Sequence, residues 1–137
     1  MTIQLNPYIN FNKNARQAFT FYQSVLGGTL ELHTFGEFGA DPDPSNQDNI
    51  MHATLTLETG GAIMGADTPS MMEYRTPCGF SISLTGSDAD VLRDRFAKLA
   101  DGGTIVMPLE KQIWGDEFGM VLDQFGINWM VNIHQEA

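Results

Sequence analysis

The stretch VLGGTL, Val25–Leu30, decides the fold, because nearly the same sequence returns as ADGGTI at Ala100–Ile105. The Gly-Gly-Thr at 27–29 thus recurs at 102–104, an offset of 75 residues. A glycine pair is a common helix end, and threonine favours a strand. Each copy therefore predicts the same junction, a helix that gives way to a strand.

The first half of the chain predicts the order strand, helix and three strands. Alternation from Asn6 to Phe11 is typical of a half-buried strand, and apolar residues recur at helical spacing before the first glycine pair. A strand follows at 29–35, and then comes a loop of about a dozen residues rich in Gly, Pro, Asp and Asn at 36–49. Two more strands are joined at Thr59-Gly60-Gly61, where the glycines supply the positive φ of a tight turn.

The second half repeats this order. GFSISLTG at 79–86 alternates as a strand does, and a helix follows, opened by Ser87 with Asp90 three residues later. Three further strands are predicted over 102–112, 114–124 and 125–135. The sequence therefore contains two copies of a βαβββ unit.

One βαβββ unit leaves a sheet face exposed, so two copies favour an α+β fold in which a curved mixed sheet surrounds a trough, with the helices outside. Residues 1–137 then form a single domain, with units at 1–68 and 78–137 and a linker at 69–77. Strand alternation assigns one set of side chains to the helix side: Ile9, Phe11, Phe80, Ile82 and Leu84. It assigns a polar set to the trough: Tyr8, Asn10, His52, Thr54, Thr56, Ser81, Ser83, Asn128 and Asn132.

Composition limits the partners. Seventeen acidic against seven basic residues give a net charge of −10, which repels nucleic acid and anionic membranes. The single Cys78 excludes an internal disulfide and suits a reducing cytosol. The segment MTIQLNPYIN lacks the basic n-region and the long apolar run that are typical of a signal peptide, and no apolar run is long enough to span a membrane. We therefore expect a cytoplasmic protein.

The trough offers groups for small-molecule binding. His52 is the best titratable candidate and could act as a general acid or base, although a structural histidine is the simpler interpretation. Hydrogen bonds to a ligand are expected from Tyr8, Asn10, Ser81, Ser83 and Asn132. Met130 shares their face, and Trp114 and Phe118 in the segment WGDEFG could cover the ligand or simply pack at a strand entry. With one inward histidine and no inward carboxylate, the pattern predicts no metal site.

These segments together resemble the vicinal-oxygen-chelate superfamily, the glyoxalase, bleomycin-resistance and dioxygenase group built from paired βαβββ units. The resemblance rests on PYINF, ARQAFTFYQSVLGG, MHATL, GFSISL, GGTIVMPL, WGDEFGM and DQFGINWMVN. Within the superfamily the chain is most similar to the PhnB-like branch. The resemblance implies a homodimer.

The metal-ligand positions implied by the resemblance fall at Asn6 or Tyr8, at Gly79 or Phe80, and at Met130. None carries a good ligand, so we expect a protein without metal or cofactor that binds a small polar or aromatic molecule. Two alternatives stay open. One is a metal-dependent lyase or dioxygenase that uses His52 with Asp116 or Glu117, and the other is a structural or interaction module.

Overall fold

The computed structural model describes residues 3–135 and confirms an α+β fold of tandem βαβββ units. Two four-stranded mixed sheets are present in this part of the chain. The chain forms two compact units, the first ending at Arg75 and the second beginning at Thr76.

The first unit follows the predicted order. Its main elements are β1 (Tyr8–Phe11), α1 (Ala15–Leu26), β2 (Thr29–Thr34), β3 (Ile50–Thr56) and β4 (Ala62–Asp67). The strands lie in the order β1-β4-β3-β2, with β1 parallel to β4 and the other neighbours antiparallel. The parallel pair requires a crossover, which α1 supplies.

One face of the first sheet packs on α1. The helix buries Ala15, Ala18, Phe19, Tyr22, Val25 and Leu26, and the strands bury Ile9, Phe11, Ala53, Leu55 and Ile63. Side chains alternate between the two faces of a strand. Because these apolar residues face α1, the polar residues between them lie on the opposite face of the sheet. The predicted placement of Ile9 and Phe11 on the helix side is confirmed.

The second unit repeats this arrangement. Its elements are β5 (Ile82–Gly86), α3 (Ala89–Ala100), β6 (Thr104–Lys111), β7 (Glu117–Leu122) and β8 (Asn128–Ile133). The strand order β5-β8-β7-β6 matches that of the first unit, again with the first and last strands parallel. Helix α3 buries Leu92, Phe96 and Leu99, and Trp129 is fully buried in the same unit.

Three local features differ from the sequence-based expectation. The predicted loop at 36–49 holds most of a four-residue helix, α2 (Phe35–Phe38), and a 3₁₀ turn at Pro44–Asn46. Strand β5 begins only at Ile82, so Phe80 lies before it and is 45% exposed instead of packing under a helix. The N-cap of α3 is Asp88, not Ser87, and its carboxylate accepts a hydrogen bond from the backbone N–H of Val91.

The repeated glycine pairs occupy equivalent junctions. A Cβ on Gly28 would overlap the carbonyl oxygen of Thr56, at the end of β3, and a Cβ on Gly103 would overlap the carbonyl oxygen of Leu122, at the end of β7. Gly28 also has a positive φ of 88°, which disfavours any residue with a side chain. The second glycine of each pair therefore lets the helix exit pass directly over the neighbouring strand.

Replacing either of these glycines by alanine is expected to strain the same junction in both units. We expect Gly28→Ala and Gly103→Ala each to lower the free energy of unfolding by about 1–3 kcal/mol, because backbone must move to admit the methyl group. Urea denaturation measures this loss. Gly86→Ala is the control, since its Cβ would meet only Leu92 Cδ1 at 3.6 Å. Equal stability of all three variants would contradict the assignment.

Buried carboxylates tie the elements together within each unit. Asp67, at the end of β4, accepts hydrogen bonds from the N–H of Ala15 at 2.9 Å and of Ile50 at 2.8 Å. It thus fixes the start of α1 and the start of β3. In the second unit Asp123 accepts from Trp129 Nε1 at 2.8 Å and from the N–H of Ile127 at 3.0 Å, which closes the β7–β8 turn.

Asp41 performs the same task for the loop between α2 and β3. Its buried carboxylate accepts from the N–H and Oγ of Ser70, from Asn46 Nδ2 and from the N–H of Asp43. The hydrogen bonds from Ser70, followed by that from Asp43, hold the pKa of Asp41 well below its usual range. The loop is thereby attached to the segment that follows β4.

The depressed pKa of Asp41 predicts an acid-dependent contribution to stability. The carboxylate stabilises the fold fully above the pKa of an unfolded aspartate, about 3.9, and this stabilisation is lost as the pH falls through the lower folded value. The stability gap between the wild type and Asp41→Asn should therefore be largest above about pH 5 and shrink below about pH 4. Thermal unfolding from pH 7 to pH 3 measures the gap.

The exposed Asp101→Asn variant is the control and should show little gap at any pH. A gap for Asp41→Asn that stays constant down to pH 3 would contradict the role of the ionised carboxylate.

No helix within residues 3–135 is long and apolar enough to cross a membrane.

Candidate functional site

The sheet face opposite α1 carries the polar residues of the first unit. Tyr8 on β1 pairs with Met64 on β4, and Met64 pairs with Thr54 on β3. His52 on β3 pairs with His33 on β2. Paired residues of neighbouring strands point to the same face. The face is therefore a continuous surface of phenol, thioether, hydroxyl and imidazole groups.

His52 lies in a hydrogen-bonded row with two of these residues. Its Nδ1 is 3.4 Å from the hydroxyl of Tyr8, and its Nε2 is 2.9 Å from Oγ1 of Thr54. The rings of Tyr8 and His52 have centroids 5.8 Å apart. The sequence predicted that these three side chains share a face, but it could not show that they contact one another.

The environment of Tyr8 keeps its hydroxyl protonated. Partial burial raises the pKa of the phenol above its ordinary value of 10. A protonated phenol can donate a hydrogen bond to Nδ1 of His52. Each ring nitrogen of His52 thus has a hydroxyl neighbour, that of Tyr8 or that of Thr54.

Two further polar residues border this row. Asn10 is exposed on β1, two residues beyond Tyr8 and on the same face. His33 lies beside His52 in register, and its Nδ1 is 3.2 Å from a carboxylate oxygen of Glu37 on α2. The sequence analysis counted His52 as the one inward histidine and found no inward carboxylate, because nothing in the sequence fixes the register of β2 against β3. The register corrects both points, since His33 pairs with His52 and Glu31 pairs with Thr54. The hydrogen bond to His33 lowers the pKa of Glu37.

A row of methionines crosses the sheet of the second unit. Ser83 pairs with Met130, Met130 with Met120, and Met120 with Met107. The row joins one hydroxyl and three thioethers across β5, β8, β7 and β6. Sequence analysis placed Ser83 and Met130 on one face but missed Met120 and Met107, although each lies in a strand that it predicted. The adaptable thioether side chains suit a surface that contacts apolar rings.

The remaining predicted ligand residues of this unit lie in the neighbouring row of the sheet or near the ends of its strands. Asn132 pairs with Phe118, and the ring centroid of Phe118 is 6.1 Å from that of Trp114. Trp114 is 59% exposed. Ser81 lies just before β5 and is half-buried. The structure thus brings Asn132, Phe118 and Trp114 together at one end of the sheet.

Asp116 attaches the segment that carries Trp114 to strand β8. Its carboxylate accepts from Asn132 Nδ2 at 3.0 Å and lies 3.1 Å from Nδ1 of His134. The hydrogen bond from Asn132 is the main cause of the lowered pKa of Asp116, and His134 adds to it. Since Asn132 donates to Asp116, its amide oxygen is the group that it can offer to a ligand.

The carboxylates of WGDEFG are therefore already engaged within their own unit. Glu117 accepts from Arg93 at 2.6 Å and 3.3 Å, and this ion pair raises the pKa of Arg93. Asp116 is held by Asn132 and His134. This disfavours the alternative in which Asp116 or Glu117 joins His52 as a metal ligand.

The residues at the implied metal-ligand positions do not fit a divalent ion. Asn6 offers only a neutral amide, Tyr8 offers a phenol with a raised pKa, and Gly79 has no side chain. Phe80 is a hydrocarbon, and Met130 is a soft thioether within the methionine row. Divalent ions in proteins prefer imidazole, carboxylate or thiolate ligands. Across residues 3–135, no group of three or more His, Cys, Asp or Glu side chains is placed to hold a metal.

Several known proteins are similar to this chain over nearly its whole length. Protein YjdN of Escherichia coli strain K12 is 30% identical, with 94% of each chain covered. An uncharacterized protein of Mycobacterium bovis, Mb0911c, is 34% identical over 91% of this chain and 79% of its own length.

Solved structures show the same fold. Protein PA1353 from Pseudomonas aeruginosa is 40% identical and matches with a TM-score of 0.86, covering 98% of this chain and all of that one. A Bacillus cereus protein described as a putative 3-demethylubiquinone-9 3-methyltransferase, PhnB protein, matches with a TM-score of 0.75 at 23% identity, covering 96% of this chain and all of its own. The model of the Glyoxalase/Bleomycin resistance protein/Dioxygenase superfamily matches residues 4–131, and the chain belongs to that superfamily.

Proposed function

We propose that this protein is a PhnB-like member of the superfamily that binds a small polar or aromatic molecule on the sheet faces opposite its helices, without a resident divalent metal. Tyr8 and Asn10 provide hydrogen bonds on the face of the first unit, and Ser81, Ser83 and Asn132 provide them on the face of the second. Met130, Phe118 and Trp114 contact its apolar part. His52 serves as a general acid or base if the bound molecule is also converted.

The observation that carries this proposal is the row formed by Tyr8, His52 and Thr54. These three groups contact one another, and the row lies on a face that α1 does not cover. Tyr8 remains 50% exposed, although aromatic side chains are usually more deeply buried. An accessible row with a proton donor, an imidazole and a hydroxyl is suited to recognising a polar ligand.

The second unit supports the aromatic part of the proposal. Three thioethers and the ring of Phe118 lie on one sheet face, with the amide oxygen of Asn132 beside them. Sulfur and aromatic groups contact ring systems favourably. A planar molecule with a hydrogen-bond donor at its edge matches these groups.

The remaining parts of the proposal concern organisation. We propose a single domain with a linker at 69–77, a homodimeric assembly and a cytoplasmic location. The engaged carboxylates of Asp116 and Glu117 support a protein without divalent metal over a metal-dependent lyase or dioxygenase. The PhnB-like assignment is supported by the fold of the Bacillus cereus protein.

Binding of small aromatic alcohols and amides to ¹⁵N-labelled protein tests the proposal. Fragments that bind should shift backbone amides at positions 8–10 and 52–54 in the first unit, or at 83, 118–120 and 130–132 in the second. For fragments on the first face, Tyr8→Phe and His52→Ala should each weaken binding by about fivefold or more, the effect of losing one hydrogen bond.

Gln17→Ala is the control for these variants, because Gln17 is exposed on α1. It should leave fragment binding unchanged. Fragments whose shifts cluster outside both faces, or equal affinity for the wild type, Tyr8→Phe and His52→Ala, would contradict the proposal.

Metal analysis separates the proposal from the lyase or dioxygenase alternative. Protein purified without chelators, then incubated with zinc, nickel, manganese or iron and desalted, should retain far less than one equivalent of each. Fragment binding should be unchanged by EDTA, because no set of three or more His, Cys, Asp or Glu side chains within residues 3–135 is placed to hold a divalent ion. One equivalent of metal in the wild type that is lost in His52→Ala would establish the metal-dependent alternative instead.

A further inference from the structure

A groove beside β1 adjoins the sheet face used in the proposed function and shares one residue with it, Asn10. It consists of two adjoining cavities of about 360 Å³ and 250 Å³ within the first unit. Both are lined by Thr68, Pro69 and Met72. Arg75 lines the larger cavity and Lys13 the smaller one. We refer to this pair of cavities as the lysine groove.

The walls of the lysine groove are held in place before any ligand binds. Asp41 accepts hydrogen bonds from Ser70 on one wall and from Asn46 and Asp43 on the other. Thr68 is fixed through its own hydroxyl, which donates to the carbonyl of Phe11 at 3.0 Å. Binding in such a groove requires little ordering of the protein.

The basic residues of the chain differ in whether they have a direct carboxylate or hydrogen-bond partner. Arg93 and Lys98 have carboxylate partners, and Arg16 donates to a backbone carbonyl. Within the part of the chain that the structure describes, neither Lys13 nor Arg75 has a carboxylate within 4.0 Å. The charge of Lys13 contributes to the lowered pKa of Asp43, without a direct ion pair. Two basic residues without a direct carboxylate contact thus line one groove, in a protein with seven basic residues and a net charge of −10, and they can attract an anion.

The backbone of Lys13 is a second, independent observation. Lys13 has a φ of 66°, and no other residue except glycine has a positive φ in residues 3–135. This conformation costs a lysine about 1–2 kcal/mol relative to the usual right-handed region. Residues with such strained backbones cluster at catalytic and ligand-binding sites. Here the strained residue lines the smaller cavity of the groove.

We infer that the lysine groove binds a small organic anion, with its carboxylate or phosphate group between Lys13 and Arg75 and its apolar body on Pro69 and Met72. Tyr74 and Asn12, which also line the smaller cavity, add hydrogen-bond donors. The helix amides of α1 are not required, since the first N–H of the helix, on Ala15, is already bound by Asp67. The inference does not depend on the proposed function.

Two carboxylates, those of Asp43 and Glu73, also line the groove and weaken its attraction for an anion. Asp43 is turned toward its own loop, where Oδ1 accepts from the N–H and Oγ of Ser45, and these bonds lower the pKa of Asp43. Glu73 lines the larger cavity beside Arg75. Removal of the Glu73 charge should therefore strengthen anion binding.

Chemical-shift titrations of ¹⁵N-labelled protein with benzoate, phenyl phosphate and neutral benzamide test the inference. At least one of the two anions should shift the amides of residues 12–13 and 68–75, and benzamide at equal concentration should not. Binding of benzoate alone would identify a carboxylate site, and binding of phenyl phosphate alone a phosphate site. No shift with either anion, or equal shifts with benzamide, would overturn the inference.

Variants separate the groove from general charge effects. Lys13→Gln and Arg75→Gln should each weaken binding of the anion by about fivefold, as expected for loss of one charged contact, whereas Glu73→Gln should strengthen it. Lys111→Gln changes the net charge equally but lies in the second unit, and should change binding less than twofold. An equal loss in Lys111→Gln would overturn the inference.

The Lys13→Gly variant tests whether weaker anion binding could result from a loss of folding. Glycine tolerates the positive φ, so the melting temperature should rise by about 2–4 °C while anion binding weakens. A variant that is more stable and binds the anion as well as the wild type would contradict a binding role for Lys13.

Discussion

The close passage of a helix exit over a neighbouring strand is the constraint on which both units depend. Gly28 at the carbonyl of Thr56 and Gly103 at the carbonyl of Leu122 leave no space for a side chain. This contact sets where the second strand of each unit begins and how the preceding helix lies on the sheet. The helix then covers one face only, and the opposite face is left to polar and sulfur-containing side chains.

The chemistry of the protein follows from what lies on those uncovered faces. In the first unit, the hydroxyls of Tyr8 and Thr54 lie at the two ring nitrogens of His52. In the second, three methionines lie beside polar groups such as Ser83 and Asn132, and Asp116 attaches the aromatic segment to β8. The two units share a backbone plan but present different surfaces, one suited to hydrogen bonding and the other to contact with a ring.

Much of the fold could be predicted from local sequence signals. Three of these signals each span only a few residues: the Gly-Gly-Thr repeat, the alternation around Tyr8, and the glycines at 60 and 61. Both of these glycines have a positive φ. The position of Phe80 was wrong because the strand after Gly79 starts later than alternation suggests. The register that places His33 beside His52, and Met107 beside Met120, depends on pairing between distant strands, which a single sequence does not specify.

The role of the buried aspartates was also beyond local signals. Asp41, Asp67 and Asp123 lie at strand ends or in loops, where aspartate is ordinarily a turn residue. In the structure each gathers backbone and side-chain donors from elements separated in sequence. Their burial is stabilised by these hydrogen bonds, so they organise the fold and leave the proposed ligand residues on the open faces.

The central claim is that the sheet faces opposite the helices are ligand surfaces, and soaking crystals of the protein with small polar aromatic fragments tests it most directly. The account predicts fragment density against Tyr8 and His52, or against Met130 and Phe118. Density found repeatedly elsewhere, with both faces unoccupied at fragment concentrations that label other surfaces, would contradict it.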